Sequence, residues 1–166
     1  MVASLLLLSV VPCGIGVAAT ASEGRVESAR ASALGGAGTA VGRDPTLVWS
    51  NPAAMGLIAT RSITVAGSTG LFGAGSGFGL YASPLGPWTV GAGLSYYDSG
   101  EITLNASDGT SRHLTGRREI MIGGGVATDP VPGLVAGMLL KGLYSSLLEE
   151  FRVRTAVWDI GLQYEV

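Results

Sequence analysis

The sequence predicts an all-β protein: an antiparallel transmembrane β-barrel, present as an incomplete, open N-terminal portion, with a small helical hatch ahead of its strands. Three observations carry this. The chain has 166 residues, of which 27 are Gly and only 13% are charged. That is about half the charged fraction of an ordinary soluble domain, so something other than water surrounds much of the surface. Beyond the N-terminus no apolar run is long enough to span a membrane as a helix, and the only other structure that satisfies its backbone in lipid is a closed sheet. From residue 59 onward, apolar side chains alternate with small or polar ones at a period of two.

The elements follow in order. Residues 1–21 read as a signal peptide: an apolar stretch centred on LLLLSVV ends in Ala19-Thr20-Ala21, a small-x-small pattern that predicts cleavage after Ala21. Pro12, Gly14 and Gly16 weaken the alternative, an uncleaved anchor helix. The single cysteine, Cys13, leaves with the signal, so the mature chain would have no disulfide and no Cys-rich metal site. The expected location is the bacterial outer membrane.

Residues 22–58 form the predicted hatch. Between Ser28 and Val41 the chain is mostly Ala, Gly and Ser, with Arg30 its one long polar side chain, so a helix there needs walls around it. Asp44-Pro45 is a helix start, the carboxylate capping free amides and Pro taking the first helical position; Asn51-Pro52 repeats the device. Gly56 is expected to close that second turn in a left-handed conformation.

Residues 59–166 supply the strands, read as seven alternating segments of a truncated barrel. From Pro87 to Tyr97, Trp88, Val90, Ala92, Leu94 and Tyr96 share one face, opposite Thr89, Gly91, Gly93 and Ser95. Trp88 and Tyr96 lie about eight residues apart, which at ~3.3 Å per residue and a barrel tilt approaches the height of an outer-membrane apolar band. With Tyr144, Trp158 and Tyr164 they are the candidate aromatic girdles. Leu134, Ala136, Met138, Leu140 and Tyr144 face outward in the segment from Gly133 to Ser146, as do Ala156, Trp158, Ile160, Leu162 and Tyr164 in the last one. A turn over Glu149 to Phe151 gives partner numbers that sum to about 300, placing Lys141 directly opposite Asp159 in the lumen. Such a pair stabilises the wall by about 0.2 to 1 kcal/mol.

In the earlier segments, Ile63 and Val65 share a face, and in the segment from Gly73 to Pro84 Phe78, Leu80 and Ala82 oppose Gly75, Gly77, Gly79 and Tyr81. The period-two glycines predict a smooth inner wall for the hatch; their spacing is wrong for a phosphate-binding loop. Between Asp98 and Arg118 the pattern fades around Asp108-Gly109, a two-residue hairpin turn. That turn would pair Tyr96 with Met121, although Ile120 and Ile122 also suit the lipid face. A bulge near Asp98-Ser99-Gly100, or a longer loop, is therefore expected.

Chemistry is sparsely represented. His113 is the only histidine, Gly-x-Ser-x-Gly is missing, and Glu149-Glu150 belong to a turn. No catalysis, cofactor or metal is expected, and a net charge of -2 without a basic block argues against nucleic acid.

The ordered set Arg30-Ala31, Leu34-Gly35-Gly36-Ala37, Ala40-Val41, Asp44 and Asn51-Pro52-Ala53 resembles the N-terminal hatch of the FadL-like outer-membrane proteins. Lys141 with Gly142-Leu143-Tyr144, and Asp159-Ile160-Gly161-Leu162 with Tyr164, are similar to the PorV/PorQ group of that superfamily, associated with type IX secretion. The resemblance implies outer-membrane lipid as the surroundings. It also implies either a transport or secretion-accessory role, with secreted proteins or secretion-system components as partners, or uptake of hydrophobic small molecules such as long-chain fatty acids. A third reading, a structural glycine-rich surface protein, predicts that Trp88, Tyr96, Met138, Leu140 and Trp158 are buried in a two-layer core.

Overall fold

The computed structural model describes residue 33 and residues 44–105, 110–148 and 150–164. The signal segment, Arg30, Gly35 and Gly36, and the Asp108-Gly109 turn lie outside the described residues. What is described is antiparallel β-structure with a short helical segment on one face.

Six strands form one sheet in the order β1-β2-β3-β6-β7-β8: β1 Ser62–Thr69, β2 Gly75–Leu85, β3 Trp88–Asp98, β6 Arg117–Val131, β7 Leu134–Leu147 and β8 Phe151–Tyr164. Strands β4 Glu101–Asn105 and β5 Ser111–Thr115 pair separately as a two-stranded extension. Where seven alternating segments are expected, the described residues form eight strands, six long ones and the two of a projecting hairpin. Every pairing is antiparallel between strands next to each other in this order, which makes the sheet a meander. Among the described residues its two edges are β1 and β8, which do not pair with each other.

The two ends of the sheet differ. At one end the connections are two-residue turns. Gly86-Pro87 joins β2 to β3 with Gly86 at φ 63°, and Pro132-Gly133 joins β6 to β7 with Gly133 at φ 85°. Both place glycine where the backbone must turn left-handed and proline where φ must be negative. A register shift between Thr128 and Val131 adds a bulge beside the second turn, at a position where Pro130 has no N–H to give the ladder. The opposite end carries the β1–β2 turn, the extension and the three-residue β7–β8 connection.

The junction of β3 with the extension resolves the expected conflict of register. Tyr96 pairs with Ile120 and Asn105 with Ser111, so partner numbers sum to 216 on both sides of the break and no residue is inserted. Gly100, at φ 81°, and Gly116 mark the break. A side chain on Gly100 would overlap the backbone of Phe72, so the kink is fitted against the β1–β2 turn. Ile120 and Ile122 consequently share the face of Tyr96 and Leu94, as their apolar character requires.

Candidate functional site: a hatch on a glycine floor

From Asp44 onward the predicted hatch comprises two short 3-10 helices, Pro45–Trp49 and Pro52–Leu57. Asp44 Oδ1 accepts from the Thr46 amide at 2.9 Å and from the Thr46 hydroxyl at 2.7 Å. Asn51 Oδ1 accepts from the Ala53 amide at 3.0 Å. Each cap satisfies a free donor at the start of its helix while the following proline occupies a position that has no donor to lose. Gly56 does not adopt the expected left-handed conformation. It lies within the second helix, where a side chain would strike Val135, and Ile58 ends the helix in an extended conformation.

Leu47, Val48, Trp49, Ala53, Ala54 and Met55 are buried against one face of the sheet, here the inner face. What they meet is glycine. Gly93 and Gly123 are direct cross-strand partners, and a Cβ on either would stand 2.9 Å from the Trp49 ring. The distal edge of the indole therefore meets both glycines. Gly137 and Gly161, partners on β7 and β8, leave the room occupied by Pro52 and Asn51, and Gly91 accommodates the Met55 sulfur. Each glycine inside a strand costs about 0.5 to 1 kcal/mol relative to Ala, a loss offset only where close approach of another chain segment requires it.

This floor corrects the expectation for β2. Phe78, Leu80 and Ala82 are buried toward the hatch, whereas Gly77, Gly79 and Tyr81 belong to the outer face, and Gly73 lies in the 3-10 turn Leu71–Gly73 before the strand. The smooth wall exists, but it is made by glycines of β3, β6, β7 and β8. A strand whose alternate residues are glycine has no polar face to reveal its orientation, so periodicity alone leaves the choice open.

Lys141 connects hatch and wall. It is 5% exposed; its Nζ donates to the Trp49 carbonyl at 3.0 Å, stands 2.7 Å from Asp159 Oδ2, and lies 5.8 Å from the Trp49 ring centroid. The Trp49 carbonyl ends the first helix and needs a donor, which a cation supplies well at that terminus. The indole N–H of Trp49 is buried with no partner among the described residues, so anchoring runs through the carbonyl and the ring.

The expected direct opposition of Lys141 and Asp159 is corrected by the register. β7 and β8 close at Leu147 and Phe151, so partner numbers sum to 298; Lys141 faces Val157, and Asp159 faces Leu139. The two are diagonal neighbours on the inner face, a separation of roughly 7 to 8 Å between backbones that a lysine spans. A second inner ion pair, Arg117 with Glu119, was not anticipated. Glu119 is buried and also accepts from the Ser145 hydroxyl at 3.1 Å. Its signal was available, since Glu119 alternates with the outward Ile120.

On the outer face the register aligns apolar residues from edge to edge. One row runs Ile63, Tyr81, Ala92, Gly124, Leu140, Trp158; the next runs Val65, Gly79, Leu94, Ile122, Gly142, Ala156. Ile63 is 76% exposed, Ile122 64%, Leu140 61% and Met138 52%. Trp88 and Tyr164 adjoin the two-residue turns, and Tyr96 and Tyr144 share a row near the opposite end, joined through Ile120. Trp158 stands on the middle row. The first polar row of this face contains Asp98, Arg118 and Arg152; the Tyr96 hydroxyl donates to Asp98 Oδ2 at 2.8 Å.

The chain matches no family model, no curated protein and no solved structure.

Proposed function

We propose that the protein is an outer-membrane β-barrel component of the FadL-like superfamily, of PorV/PorQ type, in which the outer face meets lipid and the hatch seals the inside. In this reading it serves transport or secretion as an accessory or anchor, with secreted proteins or secretion-system components as partners. The observation that carries the membrane assignment is the outer face: six strands in register present an apolar surface that stays exposed, far more contiguous than a water-soluble monomer ordinarily tolerates. Two-residue turns at one end and a projecting hairpin at the other match the short and long connections of such barrels. Trp88, Tyr96, Met138, Leu140 and Trp158 are 39–61% exposed, which weighs against the soluble two-layer reading.

Within the membrane reading, an anchor is better supported than an uptake channel. Among the described residues, the cavity found between the 3-10 helices and the wall, lined by Trp49, Met55, Leu80 and Leu139 among others, has a volume of about 10 Å³. That is roughly the room one water needs, and a fatty acid needs far more. Reconstitution separates the roles: pulldown of secreted proteins from the outer membrane without uptake of labelled fatty acid supports the anchor, and saturable uptake by the full chain would replace it with the channel. Folding as a monodisperse species free of detergent and lipid would remove both.

A further inference from the structure

Three arginines gather where the outer face turns from apolar to polar. Arg118 on β6 and Arg152 on β8 occupy one row, with Ser146 of β7 between them as the partner of each. Strands about 4.8 Å apart put the two arginine backbones about 10 Å from each other across the serine. Arg154 lies two residues along β8 toward the apolar rows, its guanidinium 5.7 Å from the Tyr144 ring centroid. All three arginines are exposed. Among the described residues the acidic groups nearby are Asp98, which holds Arg118 at 3.2 Å, and Glu150 of the turn between β7 and β8. On β8 itself, Arg152 and Arg154 face outward with no acidic side chain between them.

Below them the outer face is hollowed. An open trough of about 860 Å³ runs over Gly79, Gly124 and Gly142, between Val65, Leu94 and Leu140. Gly142, at the end of the trough nearest the arginines, is one outer row from Tyr144 and its partner Arg154 and two rows from Ser146 and Arg152. The geometry points to a site for one anionic lipid: its phosphate is taken by Arg152 and Arg154 with the Ser146 hydroxyl, Arg118 completes the cradle, and an acyl chain lies in the glycine trough. Guanidinium groups suit phosphate because their fork donates two parallel hydrogen bonds, and Arg154 is already held against an aromatic ring. Charge complementarity at the border of an apolar face selects a lipid over a soluble anion, since only a lipid fills both parts.

The site rests on the membrane reading, and the experiment separates the two. The full chain, refolded in detergent and checked for strand content by circular dichroism, is titrated by native mass spectrometry. The probes are phosphatidic acid and phosphatidylcholine with the same acyl chains. Phosphatidic acid is expected to bind about tenfold or more tightly, and Arg152→Gln with Arg154→Gln to weaken it by about fivefold per arginine removed while phosphatidylcholine binding is unchanged. Replacing both by Lys should retain most of the preference. Equal affinity for the two lipids, or indifference to the double Gln variant, overturns the site while leaving the membrane reading intact. Full displacement of phosphatidic acid by millimolar inorganic phosphate overturns it in favour of a free-anion site. A chain that folds and stays monodisperse without detergent overturns the membrane reading and this site together.

Discussion

The two faces of the six-stranded sheet use glycine in opposite ways. On the inner face Gly91, Gly93, Gly123, Gly137 and Gly161 are filled by another part of the same chain, and an added Cβ would collide with Met55, Trp49, Pro52 or Asn51. On the outer face Gly79 has nothing within 4 Å of where its Cβ would stand, and Gly124 has only backbone and a methyl at 3.5 to 4.0 Å. The same residue is a socket on one side and a hollow on the other. What distinguishes the faces is therefore what covers them. The inner one is closed by a capped, lysine-anchored helical segment; the outer one is apolar and, among the described residues, uncovered by protein.

That contrast can be broken by substitution, most severely on the outer face. Leu140→Arg places a charge on its middle row and should cost about 2 to 4 kcal/mol of folding into bilayers, read from denaturant titration in vesicles. A cost near zero would mean this face is in water. On the inner face, Gly137→Val should cost about 1 to 3 kcal/mol by overpacking against Pro52 and Ala53, and should free the hatch to protease while the strands persist. Unchanged proteolysis would show that the hatch does not sit on these glycines.

Lys141→Met removes the donor to Trp49 and leaves Asp159 without its cation. Asp159 is about a third exposed (31%), so water screens much of the loss, and about 1 to 2 kcal/mol is expected in thermal or chemical unfolding. Asp159→Asn should cost less, because Lys141 keeps the Trp49 carbonyl; the reverse order would make the ion pair, and not the hatch anchor, the main role. Asn51→Ala should cost about 1 kcal/mol through the lost cap. Gly79→Val, the outer counterpart of Gly137→Val, should stay within about 0.5 kcal/mol.

Much of this contrast is legible in the sequence where alternation pits large apolar side chains against polar ones. β3, β7 and β8 have such faces, and Asp44-Pro45 and Asn51-Pro52 state their caps outright. β2 does not: Gly77 and Gly79 alternate with Phe78 and Leu80, and an apolar row opposite glycine suits either a lipid face or a hatch-facing core. The relation of Lys141 to Asp159 is legible as a shared face but not as a register. One residue of turn length moves every partner by one, and only the closed ladder at Leu147 and Phe151 settles the diagonal. The inner glycines of β3 and β6 read simply as small residues, because the indole that fills Gly93 and Gly123 comes from more than forty positions away.

The central claim, that the outer face meets lipid and the inner face does not, is tested most directly by the three tryptophans. Trp88 and Trp158 are outer, 49% and 44% exposed, and Trp49 is inner and buried. Single-tryptophan variants are reconstituted into vesicles whose acyl chains carry bromine, and fluorescence quenching is recorded. A lipid-facing outer surface predicts strong quenching of Trp88 and Trp158, with Trp49 nearly unaffected. Quenching of Trp49 alone, or of none of the three in a folded protein, would contradict it.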